Sequence, residues 1–223
     1  GGGGGGGGGG WGGGGGGGVG GGGGGLGAPR AGGVTVNGKP AERARRDRDY
    51  GVVFQAPVLF DWRSVEENVK LPLELIGLPK AEQSERALMW LNRLGLGHFI
   101  NAYPHELSGG MRQRVAIARA FSVQPDILLA DEAFGHLDEV TAAELRETFL
   151  KLARECGSTA ILITHQLEEA IGVGDRIVVF GKSARLLADI HVAQWPKEKY
   201  ALLREAIQST LQNNAPDPRL TQS

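Results

Sequence analysis

The chain has 223 residues, with Lys+Arg 24 against Asp+Glu 25 and a single Cys. That length suits one domain, or one domain with an inserted subdomain, and the near-zero charge gives no electrostatic footprint for nucleic acid or an anionic membrane surface. One Cys excludes an internal disulfide framework and points to a reducing compartment, and the sequence carries no apolar run of membrane-spanning length and no signal-peptide pattern.

Residues 1–25 are glycine apart from Trp11 and Val19, so they offer nothing for a core, a helix or a site. From Leu26 the composition becomes ordinary. "GGVTVNGKP" (Gly32 to Pro40) alternates like a short strand and turns at Asn37-Gly38. A second apolar run, Val52 to Phe54, ends at the polar Gln55. Glu66 to Leu75 and Ala81 to Leu94 show apolar residues at helical spacing, with Leu88, Leu91 and Leu94 read as one stripe. A helix is predicted from Gly109 to Phe121, then a strand from Ile127 to Ala130 that reads as buried on both faces. Val140 to Arg154 is a further helix, and Thr159 to His165 a further buried strand. "DRIVVF" (Asp175 to Phe180) and "ARLLADI" (Ala184 to Ile190) supply two more strands. Lys197 to Leu211 is helical, and the terminal "NNAPDPRLTQS" is expected to fray. Strands alternating with helices, and carrying acids or His at their ends, predict an α/β domain with a mostly parallel sheet and a ligand crevice at the strand ends.

Several strings carry chemistry. In "LSGGMRQR" (Leu107 to Arg114), Ser108 can cap the helix while Gly109 and Gly110 leave its first turn bare. Outward-facing N–H groups at a helix start suit a phosphate, although an ordinary capped helix reads the same way. "ILLADE" (Ile127 to Glu132) ends a buried strand in two acids. Asp131 can bind Mg²⁺ directly or through water, and Glu132 can act as general base toward water; the alternative is two acids entering a solvated loop. His165 closes "ILITH" and Gln55 closes "GVVFQ", each within reach of a phosphoryl group or its water, or each with a structural task alone. In "GHLD" (Gly135 to Asp138), Asp138 can cap the helix that follows.

Taken in order and spacing, Gln55, "LSGGMRQR", "ILLADE", "GHLD" and His165 resemble the ATP-binding subunits of ABC transporters, over roughly Leu26 to Ile190. The resemblance implies a P-loop NTPase core of ABC type, α/β with a mostly parallel sheet and an inserted α-helical subdomain. It divides the chain into an N-terminal part of the ATP-binding core (1–55), a Q-loop and helical subdomain (56–106), the signature helix with the rest of the catalytic core (107–190), and a C-terminal helical extension (191–223). It implies ATP and Mg²⁺ as cofactors. Glu132, His165 and Gln55 are the implied catalytic residues, Asp131 and Gln55 the metal contacts, and Ser108, Gly109, Gly110, Gln113 and Asp138 the nucleotide contacts. Ala133 stands where the family usually has Pro.

The family's phosphate loop reads GxxxxGK[ST]. Counted back from Leu26, it predicts glycines at Gly10, Gly13 and Gly15, which are present, a lysine where Gly16 stands, and a Ser or Thr on Mg²⁺ where Gly17 stands. A helix written in glycine would lose on the order of 1 kcal/mol per residue relative to Ala, more in total than the margin of a typical domain. The run is therefore read as standing for residues of other types. An N-terminal hairpin and an adenine-stacking aromatic, usual in the family, are expected upstream of this chain.

"FDWRSVEENVKLPLEL" (Phe60 to Leu75) is similar to importers of nitrate, sulfonates and taurine, with Asp61 in place of their Pro. The function implied is ATP hydrolysis energising import of a small anion, at the cytoplasmic face of the membrane. The implied partners are a second ATP-binding subunit, identical or a close paralogue, transmembrane permease subunits, and indirectly a substrate-binding protein, with no nucleic acid. Trp62 and Arg63 are read equally as permease contacts or as a packed helix start. Two other readings stand beside this one: a soluble ABC-type ATPase uncoupled from transport, and a non-catalytic regulatory subunit, which requires either that the glycines be real or that the C-terminal segment from about His191 be a ligand-sensing addition.

Overall fold

The computed structural model of the chain describes residues 35–47 and 49–220. The positions assigned to the phosphate loop, Gly10, Gly13, Gly15, Gly16 and Gly17, lie outside the described residues. A short hairpin comes first, β1 (Thr35–Val36) and β2 (Lys39–Pro40). It turns at Asn37 and Gly38, both at positive φ (50° and 75°), as a tight two-residue turn requires. Helix α1 (Ala41–Asp47) follows; the sequence reading did not foresee it. The described chain falls into two compact units, residues 42–165 and residues 35–41 with 166–220.

The unit Glu42–His165 is built on three parallel strands in the order β3 (Tyr50–Phe54), β4 (Ile127–Asp131), β5 (Thr159–Ile163). Its helices are α2 (Val65–Leu75), α3 (Lys80–Arg93), α4 (Gly109–Ser122) and α5 (Glu139–Cys156). Local signals set several of their ends. Ser64 caps α2 in a reciprocal capping box with Glu67, and Asp138 caps α5, which ends at the left-handed Gly157. Trp90 of α3, Phe121 of α4 and Phe149 of α5 are buried and in ring contact in sequence, and Phe134, in the loop after β4, packs edge-on against Phe149. This aromatic row anchors that loop to the helices. Helix α4 lies close on β3: a Cβ on Gly51 would meet the Ala120 carbonyl oxygen at 2.8 Å, so only glycine fits there.

The unit formed by residues 35–41 and 166–220 contains α6 (Leu167–Val173), β6 (Arg176–Phe180), β7 (Leu186–His191) and α7 (Tyr200–Asn213). Ile177, Val179, Leu187, Leu203 and Ile207 form its core. Strands β6 and β7 are antiparallel. Their connection is too short for a crossover, so this pair departs from the parallel sheet of β3, β4 and β5.

Three expectations are corrected. Leu88 is exposed, and α3 buries Gln83, Ala87, Trp90 and Leu91 instead. A strict three-residue spacing drifts around a helix by about 60° per step, so the stripe through Leu88 cannot stay on one face. Strand β5 is not buried on both faces among the described residues, since Ile161 and Ile163 are exposed; full burial belongs to alternate residues of the central β4, Leu128 and Ala130. The described part of the tail after α7, residues 214–220, does not fray. Asn214 takes the left-handed cap, the Asp217 N–H donates to Thr210 Oγ1, and Leu220 packs on the core of this unit. The Arg219 side chain holds the Asp217 carboxyl well below the usual carboxylate range. No described helix is long and apolar enough to cross a membrane.

Candidate functional site

The register of the parallel sheet assembles the site. Phe54, Asp131 and Ile163 lie side by side at the C-terminal ends of β3, β4 and β5. The residues that follow them are Gln55, Glu132 and, two positions on, His165. Three segments far apart in sequence thus deliver an amide, two carboxylates and an imidazole to one edge.

Glu132 leaves β4 at φ 45°, in the left-handed region. Its N–H donates to the Ile163 carbonyl at 2.9 Å, and its own carbonyl accepts from the Gly135 N–H at 3.0 Å. These two bonds hold a backbone conformation that an L-residue disfavours. The turn presents the side chain to His165, whose Nδ1 lies 3.2 Å from Glu132 Oε1. A carboxylate oxygen only accepts, so in this contact Nδ1–H is the donor; in a neutral imidazole Nε2 is then an acceptor. The His165 side chain is 70% exposed and that of Glu132 37%, so both reach solvent. Gln55 borders the same loop: a Cβ added to Gly135 would stand 3.8 Å from Gln55 Nε2.

Ser108 starts α4 with extended backbone, and its Oγ accepts from the Met111 N–H at 3.2 Å. Ser108 and Gly109 are exposed at that helix start. A Cβ on Gly110 would press on Thr141 Cγ2 at 3.0 Å, so the glycine lets the start of α4 approach the start of α5. Asp138 Oδ1 accepts from the Thr141 N–H at 3.0 Å, and that bond draws its carboxyl below the ordinary value. The capping role foreseen for Asp138 is therefore filled.

Gln113 is placed differently from its neighbours in the string. It is 2% exposed, and its Nε2 donates to the Phe54 carbonyl at 2.9 Å and to the Ala133 carbonyl at 2.6 Å. Two further organising residues, Arg119 and Asn68, escaped the sequence reading, which had singled out Arg63 beside Trp62. Arg119, whose pKa is lowered by burial, donates to the carbonyls of Pro57 and Val58. Buried Asn68 ties the backbone of Phe60, Arg63 and Ser64 to α2. Arg63 pairs with Glu74 at 2.9 Å, while Trp62 is 74% exposed and touches Phe60. The only signal in the sequence for Arg119 and Asn68 is a polar residue on an otherwise buried helix face.

Among the described residues no group of three His, Cys, Asp or Glu side chains could hold a metal ion. Asp131 offers one exposed carboxylate at the end of β4. That donor set fits Mg²⁺, which takes one or two protein carboxylates and fills its other positions with water and phosphate oxygens. It does not suit an ion held by protein ligands alone.

The profile of a family described as ABC transporter matches residues 25–135. Over 148 residues the chain is 44% identical to the taurine import ATP-binding protein TauB of Rhizobium johnstonii, covering 66% of this chain and 56% of that protein. It is 35% identical over 180 residues to the nitrate import ATP-binding protein NrtC of Synechococcus elongatus, covering 79% of this chain and 27% of that protein. The chain thus spans little more than half of the first relative and about a quarter of the second. Among solved structures it is similar to a dimeric ATP-binding cassette in a post-hydrolysis state bound to ADP and Pi, with TM-score 0.64, 31% identity, and coverage of 75% of this chain and 76% of that one.

Proposed function

The chain belongs to the ABC transporter family of ATP-binding proteins, and on that premise we propose that it is the ATP-hydrolysing subunit of an importer for a small anion such as taurine, another sulfonate or nitrate. The observation that carries this reading is the Glu132–His165 pair beside Gln55 at one edge of a parallel sheet. In this reading Glu132 takes a proton from water as the water oxygen bonds to the terminal phosphorus of ATP. The bridging P–O bond breaks, and ADP and phosphate are released. His165 holds the Glu132 carboxylate in its rotamer, and Gln55 orients the water. Asp131 and Gln55 would hold Mg²⁺, which when bound supplies positive charge to the phosphate oxygens. The bare start of α4 at Ser108, Gly109 and Gly110 presents backbone N–H groups to the nucleotide of a second subunit. Support for a pair of subunits comes from the dimeric relative bound to ADP and Pi.

Coupling to permease subunits at the cytoplasmic face of a membrane belongs to the same proposal. Segment 56–106 acts in it as the inserted helical subdomain, with Trp62 as an exposed contact. The choice of anion rests on the taurine and nitrate relatives and on the stretch Phe60 to Leu75.

Two experiments test the reading. Peptide mass spectrometry of the natural protein should find Lys followed by Ser or Thr at positions 16 and 17; a true polyglycine mass would remove the phosphate loop and the ATPase with it. Deleting the gene should abolish growth with taurine as sole sulfur source or with nitrate as sole nitrogen source. Undiminished growth on both would refute the substrate class.

A further inference from the structure

Helix α4 holds both catalytic loops by their backbones. Gln113 has one side-chain nitrogen with two hydrogens, and both are used: one on the Phe54 carbonyl at 2.9 Å, the other on the Ala133 carbonyl at 2.6 Å. Phe54 immediately precedes Gln55, and Ala133 immediately follows Glu132. A peptide unit is planar, so a fixed Phe54 carbonyl fixes the direction in which the chain enters Gln55. The Ala133 carbonyl is likewise fixed one residue beyond the left-handed Glu132. One turn and a half further along α4, Arg119 grips the carbonyls of Pro57 and Val58, so the last residue of β3 and the loop after it are held at three carbonyls. The strand itself is pressed against α4 at Gly51. With its nitrogen committed inward and the residue 2% exposed, Gln113 offers no amide hydrogen to a nucleotide.

We propose that Gln113 is a positioning residue: its buried amide, bridging the Phe54 and Ala133 carbonyls, sets the spacing between Gln55 and Glu132 from the helix that begins at Ser108. The proposal rests on the hydrolytic reading of Glu132 given above. It assigns Gln113 to the alignment of water and base, and not to the nucleotide contact that the string "LSGGMRQ" first suggests.

The test compares Gln113→Met, similar in length but without donors, with Gln113→Asn, which keeps an amide yet is too short to bridge both carbonyls. In either folded variant kcat should fall about 10- to 100-fold, as expected when reacting groups shift by a fraction of an ångström to an ångström, while KM for ATP stays within about twofold. Amide hydrogen exchange should quicken in peptides covering 54–58 and 132–136 and stay unchanged in the body of α5. In the natural protein, the two Gln113 side-chain amide protons should exchange at least about 100-fold more slowly than those of the exposed Gln212. Full kcat in a folded variant overturns the proposal. A raised KM with kcat unchanged overturns it too, because that pattern marks a nucleotide contact. Gln113 protons exchanging as fast as those of Gln212 overturn it whatever the variants do. If the natural protein itself fails to hydrolyse ATP, the hydrolytic reading falls, and the exchange measurements still judge the tie.

Discussion

Glu132 sits at φ 45° where β4 ends, and its neighbours keep it there through the Ile163 carbonyl and the Gly135 N–H. Left-handed backbone costs a residue with a Cβ about 1–2 kcal/mol, a cost that glycine escapes. Glycine in turn loses more freedom on folding, by about 0.5–1 kcal/mol relative to Ala. Comparing Glu132→Gly with Glu132→Ala removes the carboxylate in both and leaves only the backbone difference. The Gly variant should be the more stable by about 0.5–1 kcal/mol. For a chain of this size that is a rise in Tm of roughly 2–4 °C per kcal/mol. Paired urea titrations by circular dichroism measure the difference, and ATP hydrolysis should be lost equally in both. A Gly variant less stable than the Ala variant would refute the claim that conformational strain is stored at the base.

The other predictions concern packing, docking and pH. Gly51→Ala should cost about 1–3 kcal/mol, because the new Cβ meets the Ala120 carbonyl at 2.8 Å and α4 must move; an unchanged urea midpoint would contradict the contact. Trp62→Ala should leave stability within about 0.5 kcal/mol and leave the ATPase of the isolated subunit intact, since the side chain is 74% exposed. The same substitution should lower ATP-driven uptake in the reconstituted complex, and full uptake would remove Trp62 from the permease contact. Asp217 has its carboxyl drawn below the model-compound value of 3.8 in the folded protein, chiefly by the Arg219 side chain. Its contribution to stability is therefore complete above about pH 4 and is lost as the pH falls from there toward the lower folded value. The advantage of the natural protein over Asp217→Asn should shrink over that acid range, with Trp195 fluorescence following the unit that contains α7. An advantage that grows as the pH falls would contradict the sign.

The placement of Gln55, Asp131, Glu132 and His165 at one sheet edge was legible because each follows or ends a strand. Apolar runs closed by Gln55, by Asp131–Glu132 and, two positions past Ile163, by His165 announce both the parallel sheet and the edge where polar groups gather. Ser108 and Asp138 were legible as caps because capping is a local interaction, decided within four residues. What escaped depends on partners distant in sequence. Gln113 reads as one more letter of a nucleotide-contacting string until the carbonyls of Phe54 and Ala133, far off in the chain, are seen to receive it. Arg119 and Asn68 bind backbone oxygens, which leave no mark in a sequence. The exposure of Ile161 and Ile163 and the docking of the tail through Asp217 and Leu220 are likewise set by tertiary neighbours, against what local composition suggests. Leu88 was misplaced because three-residue spacing imitates the true helical period over only one or two turns.

The central claim is that Glu132 is the base for ATP hydrolysis. Steady-state phosphate release by Glu132→Gln, measured beside the natural protein at saturating Mg²⁺–ATP, tests it most directly. The substitution keeps the size of the side chain and its reach toward His165 while removing the group that accepts a proton. In Glu132→Gln kcat should fall at least about 100-fold, with ATP still bound and paired subunits trapped. Turnover by Glu132→Gln at the rate of the natural protein would contradict it.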